Sequence, residues 1–118
     1  MLMRLTTLVL AAGLVVACGD GGTDPPPPPP DELDVTTIGP PARFVPATGT
    51  VAAGGEVTWT NTAPPEEGIV HDITSSNGSW VATEIESGES FSVTFDAPGS
   101  YTYQCTLHAG MTGVIHVE

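Results

Sequence analysis

Three residues near the end of the chain, Cys105, His108 and Met111, repeat at a spacing of three and together offer a thiolate, an imidazole and a thioether. Thiolate and imidazole suit copper or zinc, and a nearby thioether adds softness that favours copper, above all Cu(I). A cysteine at a strand end with histidine and methionine in the following loop lets one short turn wrap an ion. Gly110 and Gly113 allow that turn to be tight.

A fourth ligand must come from elsewhere, and the chain has only three histidines. His116 alternates with Ile115 and Val117 in a closing strand, which puts it on the outer face. His71 lies in the apolar run Ile69-Val70-His71-Asp72-Ile73 after the loop Pro64-Pro65-Glu66-Glu67-Gly68, and is the better candidate. Thiol-hydrolase chemistry from Cys105, a histidine and Asp72 would leave Met111 without a role and needs a cleft that a small sandwich does not offer. Zinc on Cys105 and the two histidines would be adventitious, given the thioether.

The start of the chain gives the thiol its setting. Arg4 precedes the apolar run Leu8 to Ala17, too short to span a bilayer comfortably and read as the signal peptide of residues 1–17. Val15-Val16-Ala17-Cys18 resembles a bacterial lipobox, which makes Cys18 the expected lipidation site and lipid-anchored N-terminus. An exported protein whose other cysteine is lipidated leaves Cys105 without a partner, where thiols usually pair. A metal explains that isolation. Residues 18–32 follow as a linker, with Pro25 to Pro30 forming a polyproline II spacer of about 19 Å.

With 14 acidic residues against two arginines and no lysine, the formal net charge is −12. Nucleic acid is excluded as a partner on that balance. Loss of Arg4 with the signal takes the charge to about −13. The acidity suits docking on a basic protein face.

The elements that must position the ligands lie in residues 33–118, a single domain. Val57, Trp59 and Asn61 alternate with Thr58 and Thr60, and the same period recurs in Phe91-Val93-Phe95 and Tyr101-Tyr103-Cys105. Turn residues separate these runs, as in Asp96-Ala97-Pro98-Gly99-Ser100. Seven to eight short strands in this length predict an all-β Greek-key sandwich. Trp59, Phe91, Phe95, Tyr101 and Tyr103 are expected to pack the sheets, while Trp80 either caps the core or sits near the metal.

The segment from Gly99 to Val117, containing Tyr101-Thr-Tyr103-Gln-Cys105-Thr-Leu-His108-Ala-Gly-Met111, resembles the copper loop of the cupredoxins, the blue-copper group of plastocyanin, amicyanin and pseudoazurin. Val57-Thr-Trp59-Thr-Asn61 resembles the strand before their first histidine, and His71-Asp72 stands at their His-Asn position. The likeness runs from about Val45 to Glu118. It implies one copper ion held by His71, Cys105 and His108 with Met111 as weak axial ligand, cycling between Cu(I) and Cu(II). It also implies that His108 is the exposed electron port among Leu107, Ala109 and Gly110, and that the N–H of Asp72 bonds the thiolate.

Three departures stand out. The spacing from His108 to Met111 is the short, amicyanin-like one. Leu107 replaces a common proline. Asp72 replaces asparagine, and a carboxylate pointing inward would favour Cu(II) and lower the potential. The expected function is a monomeric, non-enzymatic electron carrier in the bacterial cell envelope, periplasmic or outward-facing. Its partner would be a basic cytochrome, or a basic face of an oxidase or reductase. Copper storage or delivery, and a non-redox surface sandwich, are the alternatives.

Overall fold

In the computed structural model, which describes residues 24–118, the strands form two sheets. Strands β1 (Glu32–Ile38), β2 (Arg43–Val45), β4 (Gly55–Asn61) and β7 (Ser90–Phe95) make one sheet in the order β2-β1-β4-β7. Strands β3 (Thr48–Val51), β5 (His71–Ser75), β6 (Thr83–Ile85), β8 (Gly99–Gln104) and β9 (Thr112–Val117) make the other, in the order β3-β9-β8-β5-β6. Pairings β1–β4 and β3–β9 are parallel and the rest antiparallel. The expected all-β sandwich is present, with nine strands rather than seven to eight. The surplus is short: β2 and β6 are three residues each, too brief to leave an alternating trace. The expected signal peptide and Cys18 lie outside the described residues.

Burial follows the period of two. In β4, Gly55, Val57, Trp59 and Asn61 are buried while Glu56 is exposed and Thr58 and Thr60 are half-buried. The inner faces meet around Trp59, whose ring lies 5.2 Å from Tyr103 in a T-shaped contact and 5.7 Å from Trp80. Trp80 therefore caps the core, and its indole N–H donates to the Ile73 carbonyl at 3.1 Å. An aromatic side chain of this kind buries about 150–250 Å², which at ~25 cal/mol per Å² is the largest single hydrophobic contribution available to so small a domain.

Gly113 serves differently from the expected turn. It lies within β9, and a Cβ there would collide with the Tyr103 ring. Gly110 keeps its turn role, with φ +76°.

The sandwich has two distinct poles. At one, the Ala52 N–H bonds the Pro30 carbonyl, Ala53 bonds the last residue, Glu118, and Gly54 bonds Phe95. Strand β1 runs from there, where Glu32 faces Glu56, to the other pole, where Thr37 faces Asn61. The ligand-bearing segments converge on that second pole.

Candidate metal centre

Strand β5 opens on His71, while the loop between β8 and β9 carries Cys105, His108 and Met111. Two backbone bonds shape that loop: the Cys105 N–H donates to the Met111 carbonyl at 2.9 Å, and the Met111 N–H to the His108 carbonyl at 3.4 Å. The chain thus turns back on itself in the space between the first and last candidate ligands. β5 pairs with β8 at Thr74↔Gln104 and Ser75↔Tyr103, a register that, continued, sets Asp72 opposite Thr106 and brings His71 alongside the loop that follows β8.

The three nitrogen and sulfur donors converge. Cys105 Sγ lies 3.4 Å from His108 Nδ1 and 4.0 Å from His71 Nδ1, and the ligand atoms all lie within 4.8 Å of one another. Donors sharing one ion at bonds of ~2.0–2.3 Å must sit roughly 3.5–4.5 Å apart, so this set fits a single metal with little adjustment. Both histidines turn Nδ1 toward the sulfur, and their rings lie 4.8 Å apart. Met111, 1% exposed, is buried in the same loop.

Burial is uneven in a way that matters for chemistry. His71 and Cys105 are buried, whereas His108 is half-buried and flanked by Leu107, 51% exposed, with Ala109 and Gly110 also exposed. Burial lowers the pKa of His71, helped by His108 and opposed by Asp72, so the ring is held neutral with a lone pair to give. Burial raises that of the Cys105 thiol, while the backbone amides of Asp72 and Leu107 pull it back. A thiol costly to ionise alone is one whose thiolate a cation stabilises.

Asp72 joins the two ligand segments. Its backbone N–H donates to Cys105 Sγ at 3.4 Å. Its carboxylate accepts the Thr106 N–H at 2.6 Å and the Thr106 hydroxyl. The side chain thus engages Thr106 through both its backbone and its hydroxyl, a connection that the sequence did not reveal. His116 stands on the outer face, bonding Ser100 at 2.9 Å, apart from the cluster.

Of the apolar run from Ile69 to Ile73, only the part from His71 onward is strand, since β5 begins at His71. The Ile69 carbonyl is taken by the side chain of Asn61 at 2.9 Å instead of by a neighbouring strand. Asn61 itself carried a legible signal, a polar residue on the buried face of an alternating strand.

Residues 34–118 match the copper binding proteins of the plastocyanin/azurin family. The chain is 40% identical over 73 residues to amicyanin-alpha of Methylorubrum extorquens, covering 58% of each protein. It is 38% identical over 84 residues to the chloroplastic plastocyanin of Tetradesmus obliquus, covering 64% of this chain and 58% of that one. It thus spans a little under three fifths of the length of these two relatives. Among solved structures, amicyanin from Paracoccus versutus superposes with a TM-score of 0.62 at 25% identity, over 76% of this chain and 84% of that one. A purple cupredoxin from Nitrosopumilus maritimus shares the fold, with a TM-score of 0.61 at 22% identity, over 73% of this chain and 99% of that one. Soft and borderline donors, converging at one pole of this sandwich, are what the match to that family leads one to find there, and the chain belongs to the copper-binding proteins of the plastocyanin/azurin family.

Proposed function

We propose that this protein is a one-electron carrier of the bacterial cell envelope, in which His71, Cys105, His108 and Met111 would hold one copper ion. Copper supplies the chemistry, a one-electron change between Cu(I) and Cu(II). The observation that carries the reading is the convergence of Cys105 Sγ with the two Nδ1 atoms within 4.8 Å, at a site where only His108 reaches the surface.

Each residue has a defined task. β5 and the turn between Cys105 and Met111 fix the donors on two hydrogen-bonded segments, so little rearrangement accompanies a change of charge. The half-buried His108 ring is the path out, and the exposed Leu107 beside it gives a small apolar rim for brief docking. No bond is made or broken in this cycle, so the protein is not an enzyme.

Copper delivery fits less well. Cys105, His71 and Met111 are 3%, 1% and 1% exposed, which leaves one accessible donor for an incoming acceptor to displace. A carrier needs ligands that stay.

The lipobox-like Val15-Val16-Ala17-Cys18 is what supports the envelope assignment, and the two poles are compatible with it. Pro30 enters at the end opposite the donors, so a spacer anchored through Cys18 leaves the copper end facing away from the membrane. A redox partner with a basic face suits the net charge of −12.

The test mixes the copper-loaded protein with a basic cytochrome and, separately, with a high-affinity Cu(I) acceptor. Fast electron exchange that slows as salt rises, with slow loss of copper, is expected. Rapid copper transfer without electron exchange would replace this reading with delivery.

A further inference from the structure

Asn61 ends β4 on the buried face, 0% exposed, and reaches three segments with one side chain. Its Nδ2 donates to the Ile69 carbonyl and to the Ile85 carbonyl, both at 2.9 Å. Its Oδ1 accepts the Ala63 N–H at 3.0 Å. An asparagine side chain has two N–H donors, and both are used.

The two carbonyls flank one residue. Ile69 lies two positions before His71 in the chain, and Ile85 is the register partner of His71 across the β5–β6 pairing. Asn61 therefore grips the segment leading into His71 and the strand lying beside it. β5 pairs with β6 through three residues, His71 to Ile73, and Asp72 ties that end to the ligand loop, while Asn61 holds its approach from the opposite sheet. The grip is itself anchored: the Asn61 N–H bonds Glu89 at 3.0 Å, and its carbonyl accepts from Gly88 at 2.8 Å.

We propose that Asn61 is a positioning residue for the copper site, setting the place of the His71 imidazole through the Ile69 and Ile85 carbonyls. The inference rests on His71 being a copper ligand. It reaches a residue that touches none of the donor atoms and belongs to the opposite sheet. Loss of both donors leaves two carbonyls at the copper pole without their partner, at the cost of unpaired buried polar groups. The start of β5 then loosens, and His71 leaves the metal more readily. Outer-shell partners of metal ligands typically contribute about 10–100-fold in affinity.

The test uses the full chain with Asn61→Leu, close in volume but without donors. Thr37→Val is the control: Thr37 is also 0% exposed and faces Asn61 across the β1–β4 pairing, but its hydroxyl bonds only the Thr60 carbonyl. In the copper-free proteins, amide hydrogen exchange across β5 and β6 is expected to accelerate about tenfold or more in Asn61→Leu relative to the control. In the loaded proteins, copper release is expected to quicken by a similar factor, with a changed visible spectrum. Asn61→Ser, a milder change, is predicted to move both readouts in the same direction and decides the matter if the leucine variant does not fold.

Exchange and release matching those of Thr37→Val, with an unaltered spectrum, would overturn the proposal while leaving the copper site standing. Failure of the unsubstituted protein to hold copper would instead remove the site reading. The exchange measurement needs no metal, so a β5 that stays rigid without Asn61 overturns the positioning role in either case.

Discussion

The backbone N–H of Asp72 points at the sulfur of Cys105 from 3.4 Å, while the side chain of the same residue holds Thr106, the next residue in that loop. One residue therefore ties the strand bearing His71 to the loop bearing the other ligands, from both its main chain and its carboxylate. Both carboxylate oxygens of Asp72 act as acceptors there.

Asp72→Asn keeps an oxygen for the Thr106 N–H but removes the negative charge. The reduction potential is predicted to rise, because the charge stabilises Cu(II) over Cu(I). Spectroelectrochemical titration of both proteins checks this, and a lowered potential would contradict it.

Met111→Gln exchanges a thioether for a harder amide oxygen. Copper should be retained and the potential lowered, since the thioether favours Cu(I). Unchanged redox behaviour would remove Met111 from the axial role.

Stability of the copper-free protein should fall away at both ends of the pH scale. His71 has a lowered pKa in the fold, so the unfolded chain takes up a proton first as pH drops through about 6.5. That contribution is complete above this value and is lost as pH falls toward the folded one, at up to about 1.4 kcal/mol per pH unit. Tyr103 behaves oppositely: burial pushes it up to about 12. The unfolded tyrosine ionises near 10, so stability present below that pH is lost between about 10 and 12, roughly 2–3 kcal/mol in all. Cys105, also raised, adds to the alkaline loss. Urea unfolding across this range should give a maximum near neutrality, and a curve flat through pH 6 and pH 11 would be inconsistent with these burials.

Tyr103→Phe is predicted to be neutral or stabilising at neutral pH. The Tyr103 hydroxyl and the Trp59 indole N–H are buried without a hydrogen-bond partner among the described residues. Removing an unpaired buried hydroxyl deletes a desolvation cost while the ring stays packed against Trp59 and Phe44. Thermal melts of the two copper-free proteins decide it, and a loss of more than about 1 kcal/mol would contradict the expectation.

The sheets and most of the site were legible because each left a local trace. The period of two marked β4, β7 and β8, and the spacing of Cys105, His108 and Met111 marked the copper loop. His71 rested on likeness to a family, since a lone histidine in an apolar run is ambiguous until β5 is seen paired with β8. What stayed hidden was long-range. The Asp72 to Thr106 tie and the grip of Asn61 on Ile69 and Ile85 join residues separated by 34, 8 and 24 positions. No spacing rule encodes such contacts. The short strands β2 and β6 escaped for a simpler reason: three residues do not establish a period.

The most direct test of the account is to add Cu(II) to the purified protein and to Cys105→Ser, and to record the visible absorption of each. One equivalent of copper should give an intense thiolate-to-copper band in the unsubstituted protein and none in Cys105→Ser, whose fold is otherwise kept. Absence of the band in the unsubstituted protein, or its survival without the thiol, would contradict a copper centre built on Cys105.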